Sequence, residues 1–192
     1  MTLSQLNPRD PFAVDTQALG RQPGSMRTVQ RIVTVPEAFS NAMSSVPEGR
    51  ELELDLRLEA VMEGVLVTGT VRGQFTAECS RCLDPVSEDF EAGLQEMFRY
   101  ADEEDGPHQE DPETEDDDED YYLEGDLLDL EPVVRDAVVL ALPLSPLCDP
   151  DCPGLCSECG ARLADVEPDH GHGDRVDPRW EALRGLAERP GE

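Results

Sequence analysis

Six cysteines fall at spacings that present pairs of sulfurs to one metal ion, and this limits what the chain can fold into more than any other feature. Cys79 and Cys82 form one C-x-x-C. Cys148, Cys152, Cys156 and Cys159 crowd into the run LCDPDCPGLCSECG, and His170 and His172 follow closely. Thiolates two to four residues apart offer two ligands to one tetrahedral zinc ion. Any fold for this sequence must then bring its middle to its C-terminal part. The ligands divide into two sets, Cys79, Cys82, Cys148 and Cys152 in the first, Cys156, Cys159, His170 and His172 in the second. Each is a closed set of structural type, with no position left for water or substrate. The expectation is one zinc ion, and two where the histidines serve. A different division joins Cys79, Cys82, Cys156 and Cys159 and leaves Cys148 and Cys152 spare. An iron–sulfur cluster does not fit, because the spacing departs from the ferredoxin run.

Disulfides are the competing use of the thiols, and the compartment decides between the two. The start, MTLSQLNPRDPFAVD, has neither the basic nor the apolar stretch of a secretory leader, and no run reaches the length of a membrane span. A cytoplasmic location follows as the expectation, and reducing surroundings favour zinc. A staple also suits the bulk composition. With 192 residues, 38% hydrophobic and 5% aromatic, the chain reads as one domain with polar insertions and a modest core. No catalytic signature is present: no H-E-x-x-H, G-x-S-x-G, G-x-G-x-x-G or P-loop. Lysine is absent altogether, which removes Schiff-base and Ser-Lys chemistry. The reading is therefore not an enzyme, with no catalytic residue assigned.

The formal net charge is -29. Residues 1–50 carry Arg9, Arg21, Arg27, Arg31 and Arg50 against four acids, so nearly all the negative charge lies beyond them. Such a field repels phosphate and favours basic partners. Residues 102–120 hold thirteen acids and no arginine, and with the residues up to 125 they read as a disordered acidic insertion. It serves either as a mimic of a phosphate backbone or as a solvated loop without specific role.

Along the chain, residues 1–25 read as an extended arm with a short apolar patch at Phe12 and Val14. Residues 26–35 read as a strand, and 36–50 as a short helix opened by Pro36. Residues 51–60 alternate, with Leu52, Leu54, Leu56 and Leu58 on one face, which predicts a half-buried strand. Met62-Glu63-Gly64 then turns the chain into a second strand with Val65, Val67, Val71 and Phe75 inward, making a hairpin that ends at Cys79. Residues 85–99 return as a strand, with a helix open for their second half. Residues 126–142 carry helical spacing at Leu130, Val133, Val134, Ala137, Val138 and Ala141, with Asp129 as the N-cap, although a strand at 138–142 is open too. A last helix starts at Asp177 with Trp180, Leu183 and Leu186 as its stripe. The fold class is α+β: an antiparallel β-rich core (26–101), a buried helix, a zinc-knuckle segment and a short terminal helix (126–192).

These motifs together resemble the YceD family, also called the large ribosomal RNA subunit accumulation proteins. The resemblance rests on C-x-R-C-L-x-P from Cys79 to Pro85 and D-L-x-P-V-V-R-D-A-V-x-L-A-L-P from Asp129 to Pro143. It continues in P-L-C-x-x-x-C-x-G-L-C-x-x-C-G from Pro146 to Gly160 and D-P-R-W-x-x-L from Asp177 to Leu183. It implies a non-catalytic bacterial cytosolic factor linked to synthesis, processing or stability of large-subunit ribosomal RNA, whose gene commonly sits beside that of a small, basic, zinc-binding large-subunit ribosomal protein; with the acidic charge, a basic large-subunit ribosomal protein is the expected partner. Family members often carry C-x-C after the last C-x-x-C, where this chain has His170-x-His172. The alternative reading is direct binding of ribosomal RNA, or of a pre-ribosomal particle, through the arginines of the N-terminal arm, Arg21, Arg27 and Arg31.

Overall fold

The two longest strands in the molecule meet in one hairpin, and the first cysteine pair sits at its tip. The computed structural model describes residues 6–100 and 121–172. The acidic run at 102–120 and the helix expected from Asp177 lie outside the described residues. The strands are β1 (Ala13–Asp15), β2 (Met26–Thr34), β3 (Phe39–Ser40), β4 (Ser44–Val46), β5 (Glu51–Ala60), β6 (Gly64–Glu78), β7 (Pro85–Arg99), β8 (Tyr121–Tyr122) and β9 (Leu127–Asp129); one helix, α1 (Glu131–Ala141), follows. The main sheet runs β2-β5-β6-β4-β3, with β7 on the other edge of β6 and β8 beyond β7. Every pairing in it is antiparallel except β7 with β8. A mostly antiparallel sheet with one helix places the fold in the α+β class.

Alternation in the sequence becomes the two faces of this sheet. Leu52, Leu54, Leu56 and Leu58 are almost wholly buried, while Glu51, Glu53, Asp55 and Arg57 face solvent. The β6–β7 ladder is continuous from Gly64↔Arg99 to Glu78↔Pro85. Where β5 crosses β6 the backbones approach closely: a Cβ on Gly69 would lie 2.2 Å from the Asp55 carbonyl oxygen. Only glycine fits there.

Two expectations are corrected, and two alternatives left open are closed. The helix expected over 36–50 is instead the hairpin β3–β4, with Phe39 opposite Val46. Val35, Phe39 and Val46 are spaced as a helix face, which is why the sequence misleads, yet all three are buried from strand or turn positions. The Asn41 side chain settles the matter locally. Its Oδ1 accepts from the Met43 and Ser44 N–H groups and closes the turn. The second half of 85–99 is strand, because β6 supplies a partner along its entire length. In α1 the N-cap is Leu130, not Asp129; Asp129 Oδ1 still accepts from the Glu131 N–H at 2.9 Å. Burial pushes the Asp129 carboxyl above the usual range, with that hydrogen bond opposing. Residues 138–141 are helical throughout.

The N-terminal segment lies against the body. Phe12, Ala13 and Val14 are buried and β1 pairs with β9. Arg31 donates to the carbonyl oxygens of Pro11 and Ala13 at 2.8 and 2.7 Å, and Arg27 to that of Asp15. Arg21 stacks over Tyr100 and pairs with Asp126. On the far side, Arg135 of α1 pairs with Glu37 and Glu131 and lies over the Phe39 ring. One core cluster therefore runs from Phe12 through the β5–β6 leucines and valines to Val134 and Val138.

Phe12 is 1% exposed. Phe12→Ala is predicted to cost about 3–5 kcal/mol, read by urea unfolding. A cost below about 1 kcal/mol, the scale of a surface change, would show that the segment is not part of the core.

Candidate metal centre

The loop between β6 and β7 is a tight knuckle. The Cys79 N–H donates to the Asp84 carbonyl at 2.7 Å and the Leu83 N–H to the Cys79 carbonyl at 2.9 Å. The second C-x-x-C repeats this pattern residue for residue. The Cys156 N–H donates to the Ala161 carbonyl at 2.7 Å, and the Gly160 N–H to the Cys156 carbonyl at 2.8 Å. In both knuckles the residue after the second cysteine has a left-handed backbone, Leu83 at φ 64° and Gly160 at φ 71°. Leucine in that conformation is strained by roughly 1–2 kcal/mol and glycine is not.

The other half of the first cluster arrives from the end of α1. The chain turns at Pro143, the Cys152 N–H closes a turn on the Asp149 carbonyl, and the Ser80 N–H donates to the Pro146 carbonyl. Arg81 binds the carbonyl oxygens of Pro150 and Cys152 at 3.3 and 2.9 Å. Gly154 lets the segment pass close to the first knuckle, since a Cβ there would sit 3.1 Å from the Arg81 carbonyl oxygen. The result gathers Cys79, Cys82, Cys148 and Cys152, their sulfurs all within 4.8 Å of one another. Three are buried and Cys148 is exposed, and Val86 with half-buried Ala77, Leu147 and Leu155 forms the apolar surround.

The second cluster gathers Cys156, Cys159, His170 and His172, again within 4.8 Å. It is half-exposed. Arg162 ties the two together: its guanidinium pairs with Asp84 of the first knuckle and with Asp165 of its own loop. The division that would join Cys79, Cys82, Cys156 and Cys159 is not the one the fold makes.

The distances suit tetrahedral zinc. With zinc–sulfur bonds of about 2.3 Å, a tetrahedral site has sulfur–sulfur edges of about 3.8 Å. Cys79 and Cys152 are 3.8 Å apart, and Cys82 and Cys148 3.5 Å. Replacing sulfur by imidazole nitrogen at about 2.0–2.1 Å shortens the edges to about 3.3–3.6 Å. Cys159 Sγ to His170 Nε2 is 3.4 Å, and the two histidine Nε2 atoms are 3.2 Å apart. All six cysteines are free, and the sulfur separations of 3.8 and 3.5 Å exceed the roughly 2.05 Å of a disulfide.

Electrostatics separates the cysteines within each set. The Cys148 N–H, followed by those of Cys82 and Arg81, donates toward Cys79 and outweighs burial, so that its pKa falls to about 6. The Cys159 and Glu158 N–H groups do the same for Cys156, again to about 6. Cys82 gains from the Asp84 N–H, but burial and the neighbouring thiols of Cys148, Cys79 and Cys152 push it well above the ordinary thiol range. Cys148 is lowered by Cys82, yet Cys152, burial and Cys79 together raise it. Several thiols crowded together resist ionising in company, and a divalent cation removes that conflict. Asp84 and Arg162, which brace the clusters together with Arg81, did not stand out in the sequence, whereas Arg81 is a fixed position of C-x-R-C-L-x-P. The only signal for those two was their position just after C-x-x-C motifs.

A β-rich protein with one helix among the described residues, whose two C-x-x-C knuckles each gather four cysteine or histidine side chains that could hold a metal ion, is the class that this geometry defines. The chain belongs to the YceD family, the large ribosomal RNA subunit accumulation proteins, whose signature matches residues 67–187. It is 43% identical over 180 residues to uncharacterized proteins of Mycobacterium tuberculosis and Mycobacterium bovis, covering 94% of this chain and 83% of theirs. It is 38% identical to one of Mycobacterium leprae, over 92% of this chain and 77% of that protein. To the protein YlbN of Bacillus subtilis it is 27% identical over 123 residues, 64% of this chain and 66% of that one. No solved structure matches the chain.

Leu83→Gly is predicted to be neutral or to stabilise by up to about 1 kcal/mol, relief of left-handed strain being partly offset by glycine's entropy. Gly160→Leu is predicted to cost about 1–2 kcal/mol. Thermal melts of the two variants check this. The opposite order would mean that the knuckles are not equivalent.

Proposed function

We propose that the protein is a non-catalytic ribosome biogenesis factor that supports the accumulation of large-subunit ribosomal RNA by contact with a basic large-subunit ribosomal protein. Membership of the YceD family carries this reading. The charge supports the kind of partner, because a chain at -29 attracts cationic protein and repels phosphate. Both clusters hold structural zinc in this proposal. Cys79, Cys82, Cys148 and Cys152 clip the β6–β7 hairpin to the end of α1, and Cys156, Cys159, His170 and His172 fix the segment beyond it. Closed sites leave no position for a reacting group, which fits a factor that works by binding. Work on the ribosome places it in the cytoplasm, and no helix among the described residues is long and apolar enough to cross a membrane.

Direct binding of ribosomal RNA through Arg21, Arg27 and Arg31 is the weaker reading. Those guanidiniums are engaged in holding the N-terminal segment to the body.

Two outcomes follow. Depleting the protein in its own cell is predicted to lower the ratio of large- to small-subunit ribosomal RNA, measured by quantitative hybridisation. An unchanged ratio contradicts the biogenesis role. Cys79→Ser with Cys82→Ser is predicted to lose the first zinc and unfold or aggregate, since such a site contributes on the order of 10 kcal/mol. A double variant with wild-type melting temperature and metal content would remove zinc from that cluster.

A further inference from the structure

Apolar side chains left in water are normal when scattered and informative when gathered. Eight large apolar residues are exposed among the described residues, and four of these lie in the last turn of α1, on the connector at 142–146 that follows it, or in the two turns hydrogen-bonded to that connector. Leu140 is in the last turn of α1 and Leu144 on the connector, 86% and 73% exposed. Met43 stands at the β3–β4 turn, which is bound to the connector by Asn41 Nδ2 donating to the Leu142 carbonyl and Ser44 Oγ to the Pro143 carbonyl. Leu83 belongs to the first knuckle, held there by the Ser80 N–H on the Pro146 carbonyl. It is 60% exposed in a left-handed conformation that the second knuckle gives to glycine. Neither its strain nor its exposure contributes to folding.

The surroundings are acidic. Glu78, Asp149 and Asp151 are exposed, and the arginines nearby are engaged: Arg81 with the Pro150 and Cys152 carbonyls, Arg135 with Glu37 and Glu131, Arg162 with Asp84 and Asp165. An apolar centre within an anionic rim complements an apolar pocket within a cationic rim.

We infer that Met43, Leu83, Leu140 and Leu144 form the docking surface for a basic protein, whose apolar pockets receive the leucines while its cationic rim meets the acids. This rests on the proposed ribosomal role and locates its contact. The connector joins α1 to Cys148, so docking and the metal clusters share one segment of chain.

The test uses the full-length protein immobilised in three forms: wild type, Leu140→Ser with Leu144→Ser, and Leu83→Gly. The probe is the mixture of basic proteins stripped from purified mycobacterial large ribosomal subunits, and bound species are identified by mass spectrometry. A transcript of large-subunit ribosomal RNA is the second probe. The expected result is one basic protein retained by wild type at physiological salt and bound at least tenfold more weakly by both variants, with their melting temperature and metal content not reduced. Equal binding by the variants overturns the docking surface and leaves the ribosomal reading standing. Retention of the transcript alone, lost in the variants, overturns the protein partner. If wild type retains no protein and no transcript, the ribosomal reading fails and the surface with it.

Discussion

Four thiols crowded within 4.8 Å at the tip of a hairpin of two fifteen-residue strands are the constraint on which the rest of this structure depends. The knuckle hydrogen bonds aim both cysteines of Cys79–Cys82 inward, and the connector after α1 has to deliver Cys148 and Cys152 to the same point. That requirement ties the sheet's longest hairpin to the end of its only described helix. It also fixes where the second knuckle begins, because Gly154 must pass close to Arg81. The first cluster has its own apolar surround, separate from the main core, so the molecule has two centres of cohesion rather than one.

The main core shows why a chain with few aromatics still closes. The β5 leucines alternate inward, α1 adds Val134 and Val138, and the N-terminal segment contributes Phe12 and Val14 from the opposite end of the sequence. Arginines around this core, Arg31 on the N-terminal carbonyls and Arg135 over Phe39, act as braces. The net charge of -29 is the physical support for the cationic partner proposed above.

Much of this was legible in the sequence. Strict alternation announced β5 and β6, and helical spacing announced α1, because each element buries one face only. Spacing offered the division of the eight candidate ligands into two sets alongside another that joined Cys79, Cys82, Cys156 and Cys159, and the first is the grouping that the fold brings together. The misreading of 36–50 has a clear cause. Val35, Phe39 and Val46 suit a helix face as well as a hairpin, and only the Asn41 turn and the pairing of β4 with β6 decide between them. The docking of Phe12 against β9 was not legible, since it joins residues more than a hundred positions apart through a three-residue strand. The equivalence of the two knuckles was hidden for a different reason: C-x-x-C-L and C-x-x-C-G look unalike until Leu83 is seen in a left-handed conformation.

The central claim is that each cluster holds a structural zinc ion. Mass spectrometry of metal content on protein purified without chelator, with thiols counted before and after chelation, tests it most directly. The account predicts close to two zinc ions per chain, with all six thiols masked until the chelator is added. A chain that carries no metal, with its cysteines found in disulfides or freely titratable, would contradict it.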